Sequence, residues 1–191
     1  MKKTLNKFLK KFKKINSEPL DISNILWTWI GSFTGILAIS FFHLDIMKGT
    51  DLSLIIGSFG ASAVLIYGAV NSPLSQPRNL IGGHLLSAII GVTIFKIFPE
   101  NIILCSALAV SLSILAMQIT LTLHPPGGAT ALIAVIGSPN IHDLGYMYIF
   151  IPVLSGSFIL LVIALIVNNI PSHRYYPLSF KKYNEKHLSD N

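Results

Sequence analysis

The sequence predicts an all-α polytopic membrane protein, and three observations predict it. Charged residues make up 12% of the 191-residue chain, about half the ~25% of an ordinary soluble domain. Mean hydropathy is +0.65. Apolar stretches recur along the chain, several near the roughly 20 residues that a spanning helix needs. Seven of the fourteen Lys and Arg residues fall in the first fourteen positions, so the net charge of +6 points to a membrane face and not to nucleic acid. The single cysteine, Cys105, excludes a disulfide scaffold.

Residues 1–24 read as a basic cytoplasmic amphipathic segment. Leu5, Phe8, Leu9, Phe12 and Ile15 recur at helical spacing among lysines, a pattern suited to an anionic leaflet. A solvated tail that merely fixes topology fits the same letters. The segment lacks a short apolar core with an A-x-A site, so an uncleaved start-transfer helix fits better than a signal peptide.

The transmembrane domain is expected over 25–170, with apolar stretches at 25–42, 52–70, 80–98, 101–123, 129–136 and 146–170. The second is interrupted by Gly57-Ser58-Phe59-Gly60, and the fifth is short and follows Pro125-Pro126-Gly127-Gly128. Six crossings with a cytoplasmic N-terminus put every Lys and Arg except Lys48 and Lys96 inside, in keeping with the positive-inside tendency. Residues 171–191 then form a basic cytoplasmic tail.

The two defective segments resemble each other. Gly60-Ala61-Ser62-Ala63 precedes Ser72-Pro73, and Gly128-Ala129-Thr130-Ala131 precedes Ser138-Pro139. Each is the middle member of three segments, and three crossings per copy turn the second copy upside down. The expectation is therefore two inverted three-segment repeats whose second and fifth segments are broken or half-helical, meeting near the midplane. Small-residue packing between helices would produce similar letters.

Half-helices beginning at Gly60 and Gly128 would aim free N–H groups at the membrane centre, with Ser62 and Thr130 adding hydroxyls. Such a site suits a small anion or a dipolar molecule and gives Gly60, Ala61, Ser62, His124, Gly127, Gly128, Ala129 and Thr130 as substrate-binding candidates. Either hydroxyl could instead bond back to its own helix. No Asp or Glu occurs between Leu52 and Pro99 or between Asn101 and His142, which disfavours cation transport. His84 and His124 are the ionisable candidates at depth, each a possible proton switch or a satisfied interface residue. Gln76, Arg78 and Asn79, with His84, are candidates for a vestibule or gate, although Arg78 alone reads as a topological anchor. No nucleophile–base pair, metal-ligand spacing or nucleotide loop is present, so no enzyme, metal or cofactor is expected.

The run His124-Pro125-Pro126-Gly127-Gly128-Ala129-Thr130-Ala131-Leu132 resembles the signature of the HPP family of integral membrane proteins. So do the stretch 57–65, Ser72-Pro73-Leu74-Ser75-Gln76-Pro77-Arg78-Asn79, and Gly82-Gly83-His84. The resemblance covers about 25–170 and implies a small inner-membrane protein; the loop charges put both termini on the cytoplasmic side. Family descriptions count four helices, which would omit the two broken segments. It also implies transport, since plant plastid and cyanobacterial relatives are associated with nitrite. A nitrite-like anion transporter is the leading expectation. The alternatives are a neutral-solute channel, or a non-transporting module that recruits a partner or lipid through its basic N-terminal helix. Small residues at Gly82, Gly83, Ser87 and Gly91 and at Ser155, Gly156 and Ser157 suggest close helix contacts, and a homodimer would cover surfaces that so small a chain leaves open.

Overall fold

The computed structural model describes residues 21–43 and 50–178, and among these it is helical with no strand. The predicted amphipathic helix near the N-terminus lies outside the described residues. Helix α1 is Ile22–His43. Helix α2, Thr50–Ala63, continues into a π-helical turn at Val64–Gly68. After a short 3-10 turn at Pro73–Ser75 come α3, Pro77–Ile97, and α4, Ile102–Ile119. Then follow α5, Pro126–Ile136, the short α6, Pro139–Leu144, a π-helical turn at Ile149–Leu154, and α7, Ser155–Val167.

Local chemistry explains the boundaries. Proline stands in the first turn of α3, α5 and α6, where its missing N–H costs nothing. Asn101 caps α4 by accepting from Leu104 N at 3.0 Å. The sequence places the end of that stretch at 123, but the helix stops at Ile119. Leu121 takes a positive φ of 56°, and the chain then runs extended into Pro125-Pro126.

Four described helical stretches, Ile22–His43, Pro77–Ile97, Ile102–Ile119 and Ile149–Val167, are long and apolar enough to cross a membrane. Gly57–Gly68 and Pro126–Ile136 are shorter apolar helices. At one end of the bundle Arg174 gathers Asn24, Thr28, Tyr67 and Asn168, and Arg78 donates to Thr120 O. At the other end Ser138 N donates to Asp51 at 3.0 Å, and His43 Nε2 lies 3.1 Å from Ser155 Oγ. Among the described residues the chain therefore runs six times between these ends, with α2 and the 120–136 segment as its short passes. Ile39, Phe59, Tyr67, Leu80, Tyr148 and Leu160 fill the centre. Trp29, Phe33, Phe41 and Ile103 face outward, as an apolar solvent permits.

The start of the expected tail is part of the bundle. Tyr176 OH donates to Ser75 O at 2.8 Å. Arg174 is buried, and its five N–H groups reach Asn24 Oδ1 (2.8 Å), Thr28 Oγ1 (2.9 Å), Asn168 Oδ1 (3.2 Å), Tyr67 O (3.3 Å) and Asn24 O. Burial pulls its pKa below the ordinary guanidinium value, with Asp21 opposing. Removing it would strand the buried Asn168 Oδ1 and undo the contacts that close the α1–α2–α7 end. Arg174→Met is expected to cost about 2–4 kcal/mol in unfolding measured in micelles, and Arg174→Lys should restore only part, because an ammonium cannot span the fork. Equal stability of all three would show that the clasp is idle.

Candidate functional site

In a bundle this apolar, a buried polar cluster is the feature that needs explaining. Five side chains form one: Ser58 and Ser62 on α2, His84 on α3, His124 on the extended entry to α5, and Thr130 on α5. Their exposures are 4%, 0%, 0%, 0% and 2%. Ser62 Oγ lies 2.8 Å from His84 Nε2 and 2.9 Å from His124 Nε2. His84 Nδ1 lies 2.7 Å from Thr130 Oγ1, which is 2.9 Å from Ser58 Oγ. His124 Nδ1 lies 2.8 Å from the carbonyl oxygen of Leu74. The two imidazole centroids are 5.0 Å apart, and the Phe59 ring covers His84 at 5.2 Å.

The partners dictate the proton positions when both rings are neutral. Leu74 O only accepts, so His124 carries its hydrogen on Nδ1 and leaves Nε2 as an acceptor. Ser62 must donate to that Nε2, so His84 must donate to Ser62 from its own Nε2. His84 Nδ1 is then an acceptor for the Thr130 hydroxyl, and Ser58 donates to Thr130 or to Pro126 O at 3.2 Å. One carbonyl thus orders the whole chain, Ser58 to Thr130 to His84 to Ser62 to His124 to Leu74.

The helix ends differ from the sequence expectation. Gly60 does not open a half-helix: α2 begins at Thr50, so the Gly60 N–H lies well inside it. A Cβ on Gly60 would meet nothing within 4 Å, and Ala61 is exposed. The fifth segment does begin at the break, but at Pro126, which has no N–H. Gly127 N is taken by His124 O at 2.8 Å, and Gly128 N by Pro125 O at 3.0 Å. Tight local turns have used the amides that were expected to face a ligand. Side-chain hydroxyls and ring nitrogens take their place as the polar groups of the site.

Gly127 is packed, its Cβ direction meeting Ser87 Oγ at 2.7 Å, whereas Gly128 faces Val110 at an ordinary 3.8 Å and Ala129 is half-buried. Gln76, Arg78 and Asn79 line a cleft of about 470 Å³ with Leu121 and Leu178. Each holds backbone there: Gln76 Nε2 reaches Val70 O, Arg78 Nη2 reaches Thr120 O at 2.8 Å, and Asn79 Nδ2 reaches Leu123 O at 2.9 Å. His84 sits with Ser62 and Thr130, not with this group. Sequence reasoning missed Ser58, although it precedes Ser62 by one helical turn, and Tyr148, whose hydroxyl donates to Thr130 O at 2.9 Å. Leu74 carries no signal, since its carbonyl does the work. Among the described residues no group of three or more His, Cys, Asp or Glu side chains meets to hold a metal.

The family model described as HPP, transmembrane region, matches residues 17–177, a span that contains the whole cluster and the cleft. The chain belongs to the HPP transmembrane family. Two curated HPP relatives from Dictyostelium discoideum, both named transmembrane proteins, are similar to it. One is 50% identical over 161 residues, covering 83% of this chain and 56% of the relative. The other is 45% identical over 177 residues, covering 90% of this chain and 56% of the relative. The chain thus spans about half the length of these relatives. No solved structure matches it. Family and fold together make it a multi-pass membrane protein.

Proposed function

We propose that this protein moves a small, nitrite-like anion across an inner membrane, with Ser62, His84, His124 and Thr130 as its contact groups and both termini cytoplasmic. One observation carries the reading. Ser62 and Thr130 occupy equivalent places in the two Gly-Ala-x-Ala motifs, and both bond the same ring, one at each nitrogen of His84. Buried hydrogen-bonding groups in a membrane interior are costly and mark a solute path by default. Hydroxyl and imidazole N–H donors suit a planar monovalent anion that accepts hydrogen bonds, and an entering anion would take over bonds that these groups now make to one another.

The inverted-repeat reading has support from the turns. Ser72 and Ser138 each accept from the N–H two residues on, both at 3.2 Å, ahead of a proline. They stand at opposite ends of the bundle, as inversion requires.

The test is uptake of nitrite, nitrate and formate into proteoliposomes, with protein-free liposomes as baseline because nitrous acid permeates lipid. Saturable nitrite uptake is expected, reduced at least tenfold in Thr130→Val, which keeps the side-chain volume and deletes the hydroxyl. No flux of any anion above baseline would overturn the reading in favour of a neutral solute or a non-transporting role.

A further inference from the structure

We propose that the two imidazoles on Ser62 form a binding site for one proton, and that the proton crosses with the anion. The second half rests on the transport reading above. The first half rests on the hydrogen-bond geometry alone.

With both rings neutral, every ring N–H of the pair has an acceptor, and one lone pair, on His124 Nε2, is held by the Ser62 hydroxyl. Ser62 Oγ also lies 3.3 Å from Ser58 O. A proton arriving at His124 Nε2 forms an N–H bond on that lone pair. The Ser62 hydroxyl then swings to Ser58 O, and its oxygen accepts from both Nε2–H groups. No donor is stranded and no covalent bond breaks, so release is the reverse of uptake. A second proton, on His84 Nδ1, would send the Thr130 hydroxyl to Pro126 O at a long 3.5 Å and place two cations on rings 5.0 Å apart. Like charges at that separation repel strongly in a low-dielectric interior, so occupancy stops at one.

Charge balance gives the site its purpose. An unpaired anion in the membrane interior is prohibitively costly. Among the described residues, Arg78 is exposed and bound to Thr120 O, Lys96 is exposed beside Tyr146, and Arg174 is held at the bundle end. None touches the cluster. Asp51, also on α2, is occupied by Ser138 at the far end. Tyr148 faces the cluster from the 145–149 turn, but its hydroxyl serves Thr130 O. A histidinium is the cation left to accompany the anion, which makes the pair electroneutral.

Two measurements test this separately. In the full chain in lipid nanodiscs, nitrogen NMR of ¹⁵N-histidine, assigned by sequential labelling of the wild-type protein, reads tautomers directly. His124 is expected as Nδ1–H and His84 as Nε2–H at high pH. On acidification one of them should become imidazolium while the other stays neutral. A shared tautomer, or two rings that charge together, overturns the proton site whatever the protein transports. In proteoliposomes, protein-dependent nitrite uptake should follow an imposed pH gradient, with about tenfold accumulation per unit, and ignore an imposed membrane potential. Uptake driven by potential alone overturns co-transport and leaves anion transport standing. Absence of any anion uptake removes the transport reading and co-transport with it, while the NMR result still decides the proton site.

Discussion

Replacing Ser62 with Ala is expected to cost about 2–4 kcal/mol of folding stability, several times the cost of the same change at Ser157. Both serines are fully buried. Ser157 donates only to Val153 O, four residues back in the π-helical turn that leads into α7, at 2.8 Å, and its loss leaves no other side chain without a partner. Ser62 joins two rings. Without its oxygen, the Nε2–H of His84 has no acceptor and the Nε2 of His124 has no donor, each sealed from water. A stranded buried donor costs far more than a made bond is worth. Average membrane side-chain hydrogen bonds contribute only about 0.6 kcal/mol, so a large difference between the two serines is a sharp test. Unfolding by a denaturing detergent titration, monitored by tryptophan fluorescence, gives both values. Equal losses at the two sites would mean that the cluster relaxes around the gap and is not a connected network.

The difference between Ser62 and Ser157 also explains what was legible in the sequence. Apolar length locates the long helices, because lipid requires it, and the prolines at 126 and 139 mark where α5 and α6 begin. The matched Gly-Ala-Ser-Ala and Gly-Ala-Thr-Ala motifs point to Ser62 and Thr130, and their neighbourhood contains His124. What the letters do not carry is the third dimension. Nothing in Gly60 says that α2 starts at Thr50 and runs through it, since glycine is tolerated inside membrane helices. Nothing in His84 says that it faces Thr130 rather than the Gln76–Asn79 turn. Arg174 reads as one more cytoplasmic charge until its five donors are seen to close the bundle end. The amides of Gly127 and Gly128 looked free because a sequence shows where a helix starts, not whether a preceding carbonyl has already turned back to meet it.

Gly91→Leu is expected to abolish accumulation of folded protein, while Gly60→Leu should be recovered at near wild-type yield. Both glycines lie in helices of the same bundle, and the difference is what each would touch. A Cβ on Gly91 falls 2.6 Å from Ala131 O and 2.9 Å from Ala131 Cα. Those are backbone atoms of α5 and cannot step aside, so α3 and α5 must separate. Even Gly91→Ala should cost about 1–3 kcal/mol, as overpacking does. A Cβ on Gly60 meets nothing within 4 Å. Yield of monodisperse protein by size exclusion, with thermal unfolding of whatever survives, separates the two. The same contact sets the site. Gly83, Ser87 and Gly91 lie one turn apart on the face of α3 that α5 and its entry segment cover, with Gly127 against Ser87 and Gly83 against His124. Thr130 precedes Ala131, so displacing α5 at Gly91 lengthens the 2.7 Å bond between Thr130 and His84. In Gly91→Ala, the His84 Nδ1 resonance should therefore lose its hydrogen-bond shift before the protein loses its fold. If that resonance stays fixed while stability falls, the glycine seam supports the bundle without positioning the cluster.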